Sequence, residues 1–367
     1  MSSLSQTEYT MISLNQFLKP VAILVLLAIS IQCNAQYQVG FLSNYFFGRP
    51  LSARAEALGQ SFVSVDGDAS SMHFNPAGLG NMKGVELSSS YSTPFYLLTQ
   101  AHSLSVNLAA KIHPKIAIGI SLDQVSLGIP GSISDSSGNV SQTSNQHYMN
   151  HKFSAAYSIT ETFHVGASIN YFSYLPEFID GSAVFLDLGI VKKIKLRHFK
   201  HNQSINIGTS ITNTTASNVK FNYNGTDLEE TLPIISTYGL TYYLNPEKSL
   251  GKLKLFQGMV TTEYQHLLNS DYRRKVSIGG EFTLLEILIL RAGYIKEKVY
   301  DYGHSSNKSH LESLTYGVGL QLPLQQLIKI PMHLSIDYAQ FSQPSYVVGR
   351  TWDDLRSISA RLSYDLF

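Results

Sequence analysis

From residue 84 to the C-terminus, apolar side chains recur at every second position, and this alternation limits the chain to one kind of secondary structure. Successive side chains of a β-strand point to opposite faces, so a period of two held over about ten residues marks a strand. In residues 103–112, Leu104, Val106, Leu108, Ala110 and Ile112 share one face, and Ser103, Ser105, Asn107, Ala109 and Lys111 the other. After His113-Pro114-Lys115 the pattern restarts, with Ile116, Ile118, Ile120 and Leu122 set against Ala117, Gly119, Ser121 and Asp123. Residues 163–171, 184–190, 238–244 and 314–320 repeat it. One face is always aliphatic or aromatic. The other carries Gly, Ser, Thr, Asn or an isolated charge such as Asp187, Glu263, Glu281, Arg291 or Asp337.

About fourteen such segments follow one another, at 85–92, 101–112, 115–126, 147–159, 163–174, 182–192, 203–212, 234–244, 255–266, 274–283, 287–296, 312–322, 332–341 and 355–367. Soluble sandwiches alternate in the same way, so length and connection decide between architectures. Many of these segments exceed the usual ~5–6 residues and match the ~9–11 tilted residues that cross a bilayer. Connections alternate too. Long ones rich in Gly, Ser and Asn (127–146, 213–233, 297–311, 342–354) are interleaved with short ones at His113–Lys115, 160–162 and 283–286. Short turns at one end, long loops at the other and an even strand count are the plan of a bacterial outer-membrane barrel. Closure is required, because an unpaired sheet edge in hydrocarbon costs several kcal/mol per bare amide or carbonyl. The expected fold is therefore all-β: a transmembrane antiparallel barrel of about 14 strands, aliphatic face to lipid, polar face to the lumen, both chain ends periplasmic.

Composition agrees. Only 14% of the 367 residues are charged, against about 25% in soluble proteins. Mean hydropathy is −0.01 and no run of about 20 apolar residues occurs, which excludes a helical membrane protein. A net charge of +1 without a basic arm gives no footprint for nucleic acid. One cysteine excludes a disulfide framework and a multi-thiolate metal site.

Lys19-Pro20 precedes the run VAILVLLAISI at 21–31 and then Gln32-Cys33-Asn34-Ala35, a cation, a short apolar core and small residues before a cut between Ala35 and Gln36. Residues 1–35 are accordingly expected to be a signal peptide, with Met11 an alternative start. A membrane anchor would need roughly twice that apolar length, and Gln32 fits poorly before an acylated Cys33. Residues 36–84 do not alternate. Ser52 begins a short helix that Gly59 ends, and a second runs from Asp68 towards His73, with Asp66 or Asp68 as its cap, stopped by Asn75-Pro76. Phe41, Tyr45, Phe46, Phe47, Phe62 and Phe74 need burial there, and a barrel this wide needs filling. The expectation is a lumenal plug at 36–84 within a barrel of residues 85–367.

Residues 52–80, SARAEALGQSFVSVDGDASSMHFNPAGLG, resemble the opening motif of the PorV/PorQ family of Bacteroidetes outer-membrane proteins, within the FadL-like superfamily. Leu232-Pro233, the tract Glu263-Tyr264-Gln265-His266-Leu267-Leu268-Asn269, Gly279-Gly280-Glu281-Phe282, Leu290-Arg291-Ala292-Gly293-Tyr294 and Ile336-Asp337-Tyr338-Ala339 extend the resemblance in order along the chain. It implies a fourteen-stranded barrel with an N-terminal hatch whose motif residues here are Arg54, Ala57, Leu58, Gly59, Asn75, Pro76, Ala77 and Gly78. It also implies one of two roles: a component of type IX protein secretion that binds cargo or partner proteins, or passive uptake of hydrophobic small molecules such as long-chain fatty acids. Leu58-Gly59-Gln60 departs from the cargo-shuttle pattern, which has a small residue, Gly and Asp.

No Gly-x-Ser-x-Gly elbow, phosphate-cradling loop or His-Glu-x-x-His occurs, so neither an enzyme nor a cofactor is expected. Lumen-facing Asp187, Glu281, Arg291 and Asp337 are expected either to pair with each other and the plug or to gate or bind substrate. Lys192, Lys193, Lys195, Arg197, His198, Lys200 and His201 form the one basic cluster, on a periplasmic turn, as a solvated turn or a contact for anionic lipid or a periplasmic partner. Phe367 is terminal and aromatic but one residue out of phase with outward Ile358, Ala360, Leu362, Tyr364 and Leu366.

Overall fold

The computed structural model describes residues 51–93, 101–134, 140–175, 181–196, 202–223, 226–246, 249–251, 253–269, 274–299, 309–342 and 354–366. Residues 1–50, which hold the expected signal peptide and Phe41, Tyr45, Phe46 and Phe47, lie outside them, as do Arg197, His198, Lys200, His201 and Phe367.

Fourteen strands form the barrel: β1 Gly84–Thr93, β2 Ala101–His113, β3 Ile116–Ser134, β4 Val140–Thr160, β5 Phe163–Leu175, β6 Gly181–Leu196, β7 Asn202–Thr212, β8 Ile235–Asn245, β9 Phe256–Leu267, β10 Arg274–Leu284, β11 Leu288–Val299, β12 Ser309–Pro323, β13 Met332–Phe341 and β14 Leu355–Asp365. Each pairs antiparallel with its neighbours in sequence, and β14 pairs with β1 from Gly84 opposite Asp365 to Thr93 opposite Arg356. The sheet is thereby closed. No helix among the described residues is long and apolar enough to cross a membrane; the strands do so.

The two faces sort by residue type. On β6, Leu186 and Leu188 are 40% and 49% exposed while Asp187 between them is 3% exposed. Outward aliphatic residues such as Leu108, Ile120, Ile278 and Leu320 are accompanied by outward aromatic residues nearer the strand ends, with Tyr91, Tyr171, Tyr264 and Tyr338 towards the long loops and Tyr157, Phe282 and Tyr364 towards the short turns. Outward aromatic residues towards both ends mark the two interfaces of a membrane-spanning barrel.

Two long connections expected from composition prove to be structured. Residues 127–134 and 140–146 continue β3 and β4 as one hairpin above the rim. Within 213–233 the strands Asn218–Tyr223 and Thr226–Thr231 pair and attach to β6 at Gly181 and Ser182. Backbone hydrogen bonding overrides the Gly and Ser content here, because a hairpin satisfies its own amides wherever it projects.

Replacing outward Ile120 by Lys should cost about 2–4 kcal/mol, the range for a cation at a lipid-facing barrel position. The check is gel mobility of boiled and unboiled outer membranes, where Ile120→Lys should deplete the compact, heat-modifiable species.

Candidate functional site

The lumen is occupied by residues 51–82. Ser52 stands at the N-cap of the helix Ala53–Ala57, and the chain reverses through Gly59 and Gln60 at φ 65° and 60°. Gly59 is obligatory there, since a Cβ would lie 2.9 Å from Tyr294 O and 3.0 Å from Ile278 O of the wall, besides requiring a left-handed conformation. Asp68 caps the 3-10 turn Ala69–His73 by accepting from Ser70 N at 2.8 Å. Asn75-Pro76 does not simply end that turn. Asn75 caps a further 3-10 turn, Pro76–Asn81, accepting from Ala77 N at 3.1 Å. Pro76 sits at its start, where a missing N–H costs nothing.

This hatch touches the wall backbone to backbone. Cross-strand glycine pairs Gly166–Gly189, Gly208–Gly239 and Gly279–Gly293 face it, and a Cβ on any of them would collide with Ala77, Asn75, Val63, Leu58 or Gly59. Over Gly189 the Asn75 amide reaches through to the wall, donating to Ile190 O at 2.9 Å and Thr209 O at 3.3 Å as well as to Val63 O at 2.9 Å. Ala57 O accepts from Thr315 Oγ1 at 3.1 Å, and Gly59 N donates to the same hydroxyl at 3.0 Å. Gly78 packs against Ser71 and Val65 O inside the hatch.

An unbroken chain of ion pairs joins hatch to wall. Arg361 Nη1 meets Asp68 Oδ2 at 2.7 Å, and Arg54 Nη1 meets the same oxygen at 2.9 Å. Arg54 Nε and Nη2 form a two-pronged pair with Glu281 at 2.8 Å each. Arg291 binds Glu281 Oε2 at 2.7 Å and Asp337 Oδ1 at 2.6 Å. Three guanidiniums thus alternate with three carboxylates. Asp68, Arg291 and Asp337 side chains are 3% exposed or less, so neutrality is essential. Burial alone would raise the Asp68 carboxyl, but Arg361 and Arg54 outweigh it and hold the group down at about 2.

Other wall side chains satisfy hatch backbone groups that water cannot reach. Glu263 Oε2 accepts from Phe62 N at 2.8 Å and Val63 N at 2.9 Å, and its other oxygen lies 3.3 Å from Lys275 Nζ. Glu86 accepts from Ala69 N at 2.8 Å, Lys152 donates to Met72 O at 3.1 Å, and Lys111 donates to Gly80 O.

Of the residues singled out from sequence, Arg54, Glu281, Arg291 and Asp337 fall in one network. Asp187 stands apart, pairing with Lys152 at 3.0 Å and accepting from Asn170 at 2.8 Å and from Asn213 N at 3.0 Å, where β7 ends and leaves β6. The sequence marks Asp68 only as a helix start and Lys111 only as part of a polar face, and it does not mark Arg361, Glu86 or Lys152. Of the basic cluster, Lys192 donates to Thr162 at 3.2 Å and lies over the Phe163 ring, and Lys193 lies over Tyr243.

The polar inner face also has an exception. At the long-loop end, inward Val125, Tyr148, Phe172, Phe185, Ile235, Leu267, Ile295, Phe341 and Leu355 are all buried, giving an apolar ring above the hatch that the buried Lys275 and Glu297 interrupt. Its sequence signal is a lapse in alternation where two or more apolar residues adjoin, as at Tyr171-Phe172, Val184-Phe185-Leu186 and Leu267-Leu268. Among the described residues no cluster of three or more His, Cys, Asp or Glu could hold a metal ion.

A closed fourteen-strand outer-membrane barrel filled by an N-terminal hatch is the class these features define. No family model matches the sequence, and no curated protein does. Solved structures do. A FadL homologue of Pseudomonas aeruginosa superposes with a TM-score of 0.51 at 10% identity, over 86% of this chain and 98% of that one. A deletion mutant of the monoaromatic hydrocarbon channel TodX, a protein of Pseudomonas putida, gives 0.51 at 13% identity, over 86% and 99%. The fold is shared with FadL-type barrels.

Removing one member of the buried chain leaves charges uncompensated, at about 3–5 kcal/mol. Arg54→Ala should therefore release the hatch, seen as new proteolytic cleavage within residues 51–82 while the barrel stays heat-modifiable. The pH dependence has a definite sign. Asp68 is depressed in the fold, so its contribution is complete above its ordinary value of about 4 and is lost as pH falls through about 2. The hatch should stay protease-resistant at pH 5 and become cleavable, by an acid-active protease, only on acidification towards pH 2.

Proposed function

We propose that this protein is a non-enzymatic outer-membrane channel that binds hydrophobic small molecules, such as long-chain fatty acids, and lets them cross passively. The apolar ring above the hatch carries this reading. Phe172, Phe185, Ile295 and Phe341 line the inner face on the long-loop side of the hatch, beside the buried Lys275 and Glu297. Below them the Phe62 and Phe74 rings lie 5.0 Å apart, tilted at 45°, with Arg54 over the Phe62 ring, and extend apolar surface from the ring into the hatch. The shared fold supports it, since TodX is described as a toluene transporter and monoaromatic hydrocarbon channel. In this scheme residues 1–35 are the export signal, cleaved after Ala35, residues 36–84 the hatch, and residues 85–367 the barrel. Arg54, Ala57, Leu58, Gly59 and Asn75 to Gly78 seat the hatch, while Glu281, Arg291 and Asp337 latch it.

The second reading is a binding partner in type IX protein secretion. It rests on the PorV/PorQ resemblance of residues 52–80, and one observation favours it: pairing around the barrel is continuous at the level of the hatch, with no opening for a solute to leave sideways.

Burying a large apolar side chain is worth about 2 kcal/mol, so Phe172→Ser should weaken binding of a fluorescent long-chain fatty acid to the purified barrel roughly thirtyfold. Gene deletion separates the readings. Reduced fatty-acid accumulation with secreted cargo unaffected is the expected result; lost cargo secretion with normal accumulation would replace the channel by the secretion role.

A further inference from the structure

At the short-turn end, a cavity of about 350 Å³ separates the hatch from the seam where β14 closes on β1. Asp66 and Met82 of the hatch line one side, and Glu86 of β1, His333 of β13, and Arg361 and Asp365 of β14 line the other. Glu86 lies near the start of β1 and Asp365 ends β14, so the cavity is on the periplasmic side. Exposed Lys83 also lines it, and the space therefore reaches the surface.

The charges around this cavity do not balance. Arg361 is spent on Asp68 at 2.7 Å, within a chain of three guanidiniums and three carboxylates that is already neutral. Asp365 has His333 Nε2 at 3.6 Å. Glu86 and Asp66 have no counterpart: among the described residues, no Lys, Arg or His nitrogen comes within 4.0 Å of either carboxylate. Glu86 is nevertheless only 5% exposed. One of its oxygens accepts from Ala69 N, and the other meets no donor among the described residues. Asp66 Oδ1 accepts a long hydrogen bond of 3.4 Å from Tyr243, and Oδ2 has no hydrogen-bond partner. Lys193 lies over the Tyr243 ring and acts on Asp66 only from a distance, and burial pushes the Asp66 carboxyl above its ordinary range. A buried carboxylate without a cation is costly. Here two of them border one open space.

We propose that this cavity binds a small organic cation carrying two or more ammonium groups. The two carboxylates belong to different elements, and among the described residues no group of three His, Cys, Asp or Glu could hold a metal ion. Positive charge is therefore wanted at separated points rather than at one. A single lysine or arginine of another protein would bring one charge where two are needed. An alkyl chain with an ammonium at each end brings both, and each ammonium offers three donors to the acceptors that lack them. Met82 and Val85, in the same cavity, give its methylenes an apolar wall. The volume lies within the usual ~300–1,000 Å³ of small-molecule sites. The site is independent of what crosses the lumen.

The test is isothermal titration of the purified protein in a non-ionic detergent, free of anionic lipid, with spermidine as the probe and butylamine and Mg²⁺ as comparisons. Spermidine should bind saturably and more tightly than either. Glu86→Gln keeps an acceptor for Ala69 N, so the hatch stays seated, and it should weaken spermidine binding about tenfold. Asp66→Asn should do the same, and it serves alone if Glu86→Gln fails to give heat-modifiable barrel. Glu229→Gln, on the hairpin that follows β7, should leave binding unchanged. No saturable binding, equal affinity for butylamine or Mg²⁺, or undiminished affinity in a folded Glu86→Gln or Asp66→Asn variant would overturn the proposal.

Discussion

Everything in this molecule follows from the cost of a bare peptide group in hydrocarbon. A sheet crossing a bilayer cannot keep an open edge, so β14 must return to β1, and fourteen strands become a closed wall. Closure in turn dictates which face is apolar. It also creates an interior too wide for strand side chains alone to fill, and the chain fills it with its own N-terminal segment. Burying a segment of turns and short helices raises the same difficulty again, because its amides and carbonyls also lose water. The wall answers with Glu263, Glu86, Lys152, Lys111, Asn206 and Thr315, each aimed at a hatch backbone group.

The ion-pair chain stands on top of that arrangement. Its members would be a liability singly, since an isolated buried charge is far more costly than the pair is favourable. Arranged in alternation from Arg361 to Asp337, they cancel within a dry interface and give the hatch one register. Asp68 is the pivot: it caps a turn through one oxygen and holds two arginines, one from the hatch and one from β14, through the other. A latch of this kind is specific and can be broken at one point.

Strand number, face assignment and lumenal filling were legible because alternation is a local property and closure is a general requirement. Arg54, Glu281, Arg291 and Asp337 could be singled out as isolated charges on a polar face or as part of a motif. Their mutual contact could not, since residues 54 and 281 become neighbours only once the barrel closes around the hatch. Arg361 carries no such signal, because it sits among serines near the chain end, where a charge ordinarily faces water. The apolar ring was hidden by the alternation itself: Phe172 and Phe185 adjoin outward apolar residues and look like lapses in the pattern.

The seating of the hatch inside the closed barrel is the central claim, and an engineered cross-link reaches it most directly. Ser61 Oγ and Thr261 Oγ1 lie 3.1 Å apart, one on the hatch and one on the inner face of β9. In cells producing Ser61→Cys/Thr261→Cys, a disulfide should form in the outer membrane without added oxidant, detected as a linked pair of peptides after digestion. Two free thiols in a barrel that remains heat-modifiable would contradict a lumenal hatch.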